Sequence, residues 1–509
     1  MHIYKSRISI FFLTGLLPAL LLLTGCSKLI EVNRPSNTVG NDVIFKTDER
    51  AVTALMTVYA QMINYNSGIS LSNGALPVFT GLMSDEYVKN SSSADEQDKM
   101  LEEFYKNVIT RTNTIPDISF WNNGYEVIFS ANAVIEGVAA SGSPALTART
   151  RDLLNGEAKL VRAFQHFYLA NLYGDIPIVL TTDINQTRTL SRRLVSEVYQ
   201  QVEKDLKDAF LLLPADYSAA GNTRYRPNKW VAAALLARLY LYEKNYPAAA
   251  EQAGLVINNG LYKLLPPANV FMINSEECLW QLEHPTRGNA APEEVNFFTP
   301  AMQYNKVPED YKMFFTDPEM FAYFSTSGQM IPRCPMTQAL INAFETGDER
   351  KAAWTDTVPV PVAPPYNGNG YRFSHKTENI NLDGTLSPSA YTVMRLAEMY
   401  LIRAEALAQQ GTDLAGATAD LNKIRNRAGL PDLETGSREQ LLAAVAQERR
   451  VEFFGEWGHR WFDLKRTGKA TETLRVITEK QPWSNDHLLL PLPQIELINN
   501  PMLKQNPGY

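Results

Sequence analysis

Catalysis needs acids, bases, nucleophiles or metal ligands brought to one point, and this sequence offers few sets spaced for it. The six histidines, His2, His166, His284, His375, His459 and His487, make no pair at ligand spacing, so no zinc site or metallohydrolase is expected and no cofactor is assigned. No Gly-x-Ser-x-Gly elbow, phosphate loop or dinucleotide fingerprint occurs. Asp85 and Glu86 are adjacent carboxylates, whereas a glycosidase sets two carboxylates on opposite sides of a bond, about 5 to 9.5 Å apart. The 55 acidic residues could assemble such a pair from distant positions, but no motif asks for it, and no catalytic residue is assigned.

Binding chemistry is better supplied. A sugar ring stacks its C–H face on a planar aromatic and needs hydrogen-bond partners for its hydroxyls. Tyr65, Asn66, Asp85, Glu86, Tyr87 and Asn90 offer that mixture in one irregular stretch. Tyr304, Tyr311, Tyr323, Trp354, Tyr366, Asn367 and Tyr371 offer it in a second. The competing reading of each is a packed loop residue. Trp121 is assigned to the core, because it begins a helical pattern.

One residue has a definite chemical expectation. Lys5 and Arg7 precede an apolar run from Ile8 to Leu23, too short and wrongly flanked for a membrane span, which reads as a signal peptide over residues 1–25. It ends in Leu23-Thr24-Gly25-Cys26, the pattern of a bacterial lipoprotein in which the Cys26 thiol is lipidated. The alternative is an ordinary cleaved signal, or an uncut anchor, with an incidental cysteine. Several acyl chains would make a stable anchor, each buried methylene contributing about 0.8 kcal/mol. The polar stretch from Lys28 to Thr47 suits a tether. Cys278 and Cys334 are then left for one disulfide or two buried thiols, and a core of this size favours thiols. A net charge of −7 without a Lys/Arg-rich run argues against nucleic acid or anionic lipid as partner.

The elements that must position these residues are mostly helices. Apolar spacing predicts them over Thr47 to Tyr65, Trp121 to Val138, Leu154 to Tyr173 and Leu194 to Leu213. Two pairs of similar length follow: Trp230 to Lys244 with Tyr246 to Asn259, and Tyr391 to Gln410 with Asp413 to Ala428. In the second, Ala397, Leu401, Ala404 and Leu407 face Leu414, Ala417, Leu421 and Ile424. Small residues at the crossing fit a tetratricopeptide hairpin; a generic antiparallel helix pair fits equally. Asn64 to Ser119 and Leu265 to Pro388 read as irregular, with Cys278 to Leu282 as a short strand and Val358 to Pro365 as extended surface chain. Glu448, Arg449 and Glu452 read as an ion-pair ladder along one helix, and Asp348-Glu349-Arg350 as a helix end and turn. Arg460 and Asp463 flank Trp461 and Phe462 as a buried aromatic corner pinned by charges, and Arg395, Glu398, Arg403 and Glu405 read as scaffold.

Five stretches taken together resemble the SusD/RagB family of outer-membrane nutrient-binding lipoproteins of the Bacteroidetes. They are Gly156 to Ala163 running on to Asn171–Ile178; Trp230 to Leu264; Arg395 to Ala406 with Leu421 to Leu430; Glu448 to Gly455 with His459 to Arg466; and Leu490 to Pro493 with the terminal Asn506-Pro-Gly-Tyr509. The resemblance covers the helical scaffold and fails in the two irregular regions. It implies a mainly α, tetratricopeptide-like superhelix with long loop insertions, in an N-terminal half (26–264) and a C-terminal half (265–509). It also implies a partner, a SusC-like TonB-dependent outer-membrane transporter, and a lipid-anchored protein facing outside that hands over an oligosaccharide without chemistry. The residues after Cys26 lack a clear acidic run of the kind linked to surface export, so the outward face rests on the resemblance. The alternatives are a peptide- or glycopeptide-binding member of the same family, a surface glycoside hydrolase, and a structural assembly lipoprotein.

Overall fold

In the structure, a computed structural model, residues 41–63, 68–90, 96–283, 292–325, 329–377 and 390–509 are described. The leader, Cys26, Tyr65 and Asn66 lie outside the described residues. Helices begin where the sequence supplies caps. Asn228 Oδ1 accepts the amides of Trp230 and Val231 at 2.9 and 3.3 Å, and Asp413 Oδ1 accepts that of Gly416 at 2.8 Å. Ser437 and Gln440 cap each other reciprocally. The main helices are α1 (Asp48–Met62), α2 (Glu96–Lys106), α3 (Asn123–Ala140), α4 (Ala148–Tyr173), α5 (Val195–Leu212) and α6 (Lys229–Tyr242). They continue as α7 (Tyr246–Asn258), α8 (Leu396–Gln410), α9 (Leu414–Arg427), α10 (Arg438–Glu452) and α11 (His459–Arg466). Gly411 ends α8 at φ +70°, a left-handed position that a side chain would strain.

Neighbours in sequence are neighbours in space: α3 packs on α4, α4 on α5, α5 on α6, and α6 on α7. The array then continues without its chain. α7 packs directly on α8, although residues 259–395 separate them, and α8 packs on α9 and α10. The scaffold is therefore a continuous stack of antiparallel helices from which one long insertion emerges. Its neck is a two-stranded antiparallel sheet, β1 (Cys278–Leu282) against a later strand at Tyr391–Arg395, buried along both. The expectation of helix from Tyr391 is corrected here. Tyr391-Thr-Val-Met supplies β-branched side chains for a strand buried on both faces, and pairing with β1 overrides the helical pattern that resumes at Leu396. The region 64–119 is also more regular than its sequence suggests. It holds α2 and two π-helical segments, Leu76–Thr80 and Pro116–Asn122. Trp121, buried as expected, sits in the second of these ahead of the regular helix.

Residues 45–509 form one compact unit. Its C-terminal core joins Ala397, Leu401 and Ala404 of α8 to Ala417, Leu421 and Ile424 of α9, the two faces read from sequence, and adds Leu441 and Val445 of α10. Gly137 of α3 lets the Phe45 ring approach: a Cβ there would lie 2.0 Å from it. Charges between elements are buried in pairs. Arg238 of α6 holds Glu398 of α8 through two 2.7 Å bonds, and Arg162 of α4 holds Asp205 of α5 at 2.8 and 2.7 Å. Trp461 and Phe462 are buried, with Arg460 on Asp85 and Asp463 on Arg449 and Arg466. Glu448, Arg449 and Glu452 do not form a ladder along α10. Their partners come from other segments, because α10 is buried there: Glu448 meets Arg350 and Arg425, and Glu452 meets Arg350, Arg395 and Arg427. Asp348 likewise starts a helix rather than ending one, capping Glu349–Trp354 and placing Arg350 in that network.

Candidate ligand-binding site

The insertion carries its own small core. A hairpin of β2 (Thr355–Val358) and β3 (Tyr371–Ser374), paired from Thr355 opposite Ser374 to Val358 opposite Tyr371, packs Val358 and Phe373 against Val307, Phe315, Phe321 and Met330. (The neck strand Tyr391–Arg395 is β4.) Short helices at Met313–Thr316 and Pro318–Ser325 close over this core, each with one fully buried phenylalanine facing inward. Phe314 and Phe324 of these helices are half-buried against the same core, and the rings left outside are Tyr323 and, in the turn Glu309–Tyr311 just before, Tyr311. Tyr311 and Tyr323 are 47% and 75% exposed, beside exposed Met313 and Met320.

These outer rings touch in series. Tyr311 meets Phe314 edge-on at 5.3 Å, Phe314 lies against Phe324 at 4.3 Å, and Phe324 meets Tyr323 edge-on at 5.0 Å. Lys312 stands 5.3 Å over the Tyr304 ring and pairs with Glu309 at 2.7 Å. Tyr304 and Tyr366 are half-buried, braced edge-on by Phe315 and Phe321, and Tyr371 packs on the same core. Five of the tyrosines singled out from sequence (Tyr304, Tyr311, Tyr323, Tyr366 and Tyr371) thus share one module. A mutually braced run of aromatics with exposed tyrosines at both ends offers ring faces on which planar apolar faces can stack.

Four other candidates are corrected. Asp85, Glu86 and Tyr87 are buried at the seam between module and scaffold. Asp85 is clamped by Arg450 at 2.7 Å and by Arg460 at 2.7 and 2.9 Å. Tyr87 is 0% exposed and stacks on Phe298 at 4.2 Å. Their backbone is zipped to the module: Thr337 N donates to Glu86 O, Val88 N to Pro335 O and Asn90 N to Arg333 O. Trp354 is 1% exposed, donates Nε1–H to Pro267 O at 2.8 Å and lies under Lys376 Nζ. Burial leaves none of these four a face for a ligand. Asn367 is exposed in the turn before β3.

The seam also holds two carboxyls displaced upward. Burial, and then the neighbouring Asp85, push Glu86 up to about 8, and burial pushes Glu294 up to about 8. Burial brings Lys376 down to about 8, although it donates to Glu456 Oε1 at 2.6 Å and to Glu452 O at 2.8 Å. Glu294 and Lys376 line a cavity of about 20 Å³, room for a water molecule and not for a sugar. Burial holds His166 and His459 neutral, each down to about 3. Cys278 and Cys334 are free, buried thiols, pushed up to about 12 by burial. Among the described residues no group of three or more His, Cys, Asp or Glu is placed to hold a metal ion.

Comparison with known proteins places this geometry. Residues 344–509 match the model of the SusD family, and residues 49–241 match a model described as starch-binding associating with outer membrane. The chain belongs to the SusD/RagB family. A SusD-like protein of Formosa agariphila, P2, is 27% identical over 96% of this chain and 98% of its own length. The starch-binding protein SusD of Bacteroides thetaiotaomicron is 28% identical over 38% of this chain and 35% of its own. A solved laminarin-binding SusD-like protein shares the fold at TM-score 0.71 and 26% identity, covering 91% of this chain and 100% of its own. A SusD superfamily protein of Bacteroides vulgatus does so at TM-score 0.73 and 20% identity, over 92% and 100%. In this SusD-family chain the ring series depends on two residues that sequence reasoning missed, Phe314 and Phe324. Only Tyr and Trp were weighed there as platforms; the spacing of Tyr311 and Phe314, three apart ahead of Phe315, was the available signal.

Proposed function

We propose that this protein captures an oligosaccharide on the aromatic face of the insertion and passes it to a TonB-dependent outer-membrane transporter of the SusC type, without catalysis. The observation that carries the reading is the ring series Tyr311, Phe314, Phe324 and Tyr323, exposed at its two tyrosine ends and half-buried at its two phenylalanines, on a module braced against a SusD-family scaffold. Stacking on such rings holds a sugar by its C–H face and leaves its bonds intact. The starch-binding and laminarin-binding relatives support a glycan as the ligand. The enclosed position of the displaced carboxyls supports binding over hydrolysis, since Glu294 faces a cavity of about 20 Å³ that admits no glycosidic bond and Glu86 is buried. Attachment is through lipid on Cys26, with the body outside the cell. No described helix is long and apolar enough to cross a membrane, and the family model's association with the outer membrane supports the location.

The test is calorimetry of the chain from residue 27 onward against starch, laminarin and other neutral polysaccharides, with the products checked for cleavage. Binding without consumption is expected. Turnover, or the same affinity after Tyr311 and Tyr323 are both changed to Ala, refutes the reading. Changing Cys26 to Ser should move the protein from the membrane to the soluble fraction of the producing cell.

A further inference from the structure

The scaffold holds a cleft that no residue of the 292–377 module lines. It measures about 780 Å³ and runs between α3, the chain after Pro177 and the short helix Gln494–Asn499 near the C-terminus. That is the size of a small-ligand site. The π-helical segment Pro116–Asn122 feeds straight into α3 and turns Trp121 onto the same wall as Tyr125 and Phe129. These three rings stand four residues apart, about 6 Å per step along a helix axis. Trp121 is braced by Tyr125 at 4.9 Å and Tyr173 at 5.0 Å, and Tyr125 is fixed by its 2.8 Å bond to Pro177 O. Phe129, at 52% exposure, is left open at the end of the row.

The rest of the lining is polar. The Gln61 carboxamide oxygen is buried at the cleft wall without a hydrogen-bond partner among the described residues, so a turn of this side chain toward the cleft would supply an acceptor. Asn122 and Asn499 add amides from two sides, and Glu126 and Glu496 add carboxylates against the one cation, Arg188. Trp121 is buried and backs the row, so the open stacking face is Phe129 beside the half-buried Tyr125. An exposed ring beside amides and carboxylates suits rings bearing hydroxyls, and the acidic balance disfavours an anionic chain. From these features we infer that the cleft is a second glycan site, taking a neutral oligosaccharide segment independently of the aromatic module.

The experiment uses the chain from residue 27 onward, titrated calorimetrically with laminarihexaose, maltohexaose and cellohexaose. Four forms are compared: unchanged, Phe129→Ala, Tyr311→Ala with Tyr323→Ala, and all three changes. Phe129 is a surface side chain, and an unchanged melting midpoint confirms that its variant is folded. At least one hexasaccharide should bind the Tyr311/Tyr323 variant and lose tenfold or more in affinity when Phe129 is also changed. No hexasaccharide responding to Phe129→Ala, whether all three fail to bind or all binding follows Tyr311 and Tyr323, overturns the cleft. A response to Phe129 alone keeps the cleft and overturns the module, so the two sites fail separately.

Discussion

Changing Glu452 to Gln removes the charge on which three guanidiniums converge. Oε2 accepts Arg350 Nη1 at 2.8 Å, and Oε1 is shared by Arg395 and Arg427. Burial drives this carboxyl upward in pKa, and the combined field of Arg427, Arg395 and Arg350 outweighs it, holding the group well below the usual range. Breaking a buried pair from one side costs about 3–5 kcal/mol, because the other charge stays buried. Each arginine here keeps a second carboxylate: Arg350 has Asp348 and Glu448, Arg395 has Glu456 and Glu277, and Arg427 has Glu277. The cost therefore falls at the lower end, about 3 kcal/mol. For a body the length of residues 45–509, an unfolding entropy of about 2.1 cal/mol/K per residue sums to about 1 kcal/mol/K, and the midpoint should drop by about 3 °C. Scanning calorimetry at pH 7 reads this directly, with Glu439→Gln near the exposed start of α10 as control. The sign with pH follows from the lowered pKa: Glu452 contributes fully above its unfolded value and loses that contribution as pH falls through its folded one, so the variant should show a flatter acid limb. A midpoint within 1 °C of the unchanged chain would refute the network. A ladder exposed along one helix is worth only about 0.2–0.5 kcal/mol per pair and would give that small shift.

Tyr323→Ala should weaken glycan binding about five- to tenfold, roughly 1 kcal/mol for one exposed ring, while leaving the melting midpoint in place. Calorimetric titration beside a thermal scan separates the two. Glu294 titrates near 8 in the folded chain, above its ordinary value, so the unfolded chain releases that proton first and stability should decline as pH rises from about 4.5 to 8. Glu294→Gln should flatten that decline in urea unfolding; an unchanged slope would place the proton elsewhere. Lys480 donates to Leu82 O, Tyr105 O and Asn107 Oδ1 from a buried position, and burial lowers it to about 7. Lys480→Met should cost at least about 2 kcal/mol by leaving three acceptors without a donor, read as a lower urea midpoint.

The helical scaffold was legible because its helices are long, capped and periodic. α4 to α9 lie within a few residues of their predicted spans, except where β4 replaces the first turn of the predicted helix at Tyr391. That exception, and the misread Glu448–Glu452 ladder, share a cause. Strand pairing with Cys278–Leu282 and charge pairing with Arg350, Arg395 and Arg427 join segments far apart in the chain, and local spacing carries no record of them. The site was half legible for a related reason. Tyr, Trp, Asp and Asn in an irregular stretch mark it as unusual, but burial divides them. Tyr323 and Asp85 look alike in sequence; one stands on a short helix over a small core and the other lies between two arginines.

The insertion explains how one scaffold can carry a ligand surface without sharing its fate. Because α7 packs on α8 across residues 259–395, the helix stack closes whether or not the module's outer face changes. What must be kept is the neck and the seam: the β1–β4 pair, the arginine–glutamate network, and the zipper from Glu86 to Asn90. The two family models match 49–241 and 344–509, which takes in the helical stack apart from α7, together with β4 and most of that network. Tyr304, Tyr311, Phe314, Tyr323 and Phe324 all fall in the interval between them. A side chain facing solvent on a braced module contributes little to stability, so its identity is set by what it touches. On the proposed reading, the rings of the module are therefore where the choice of glycan should reside.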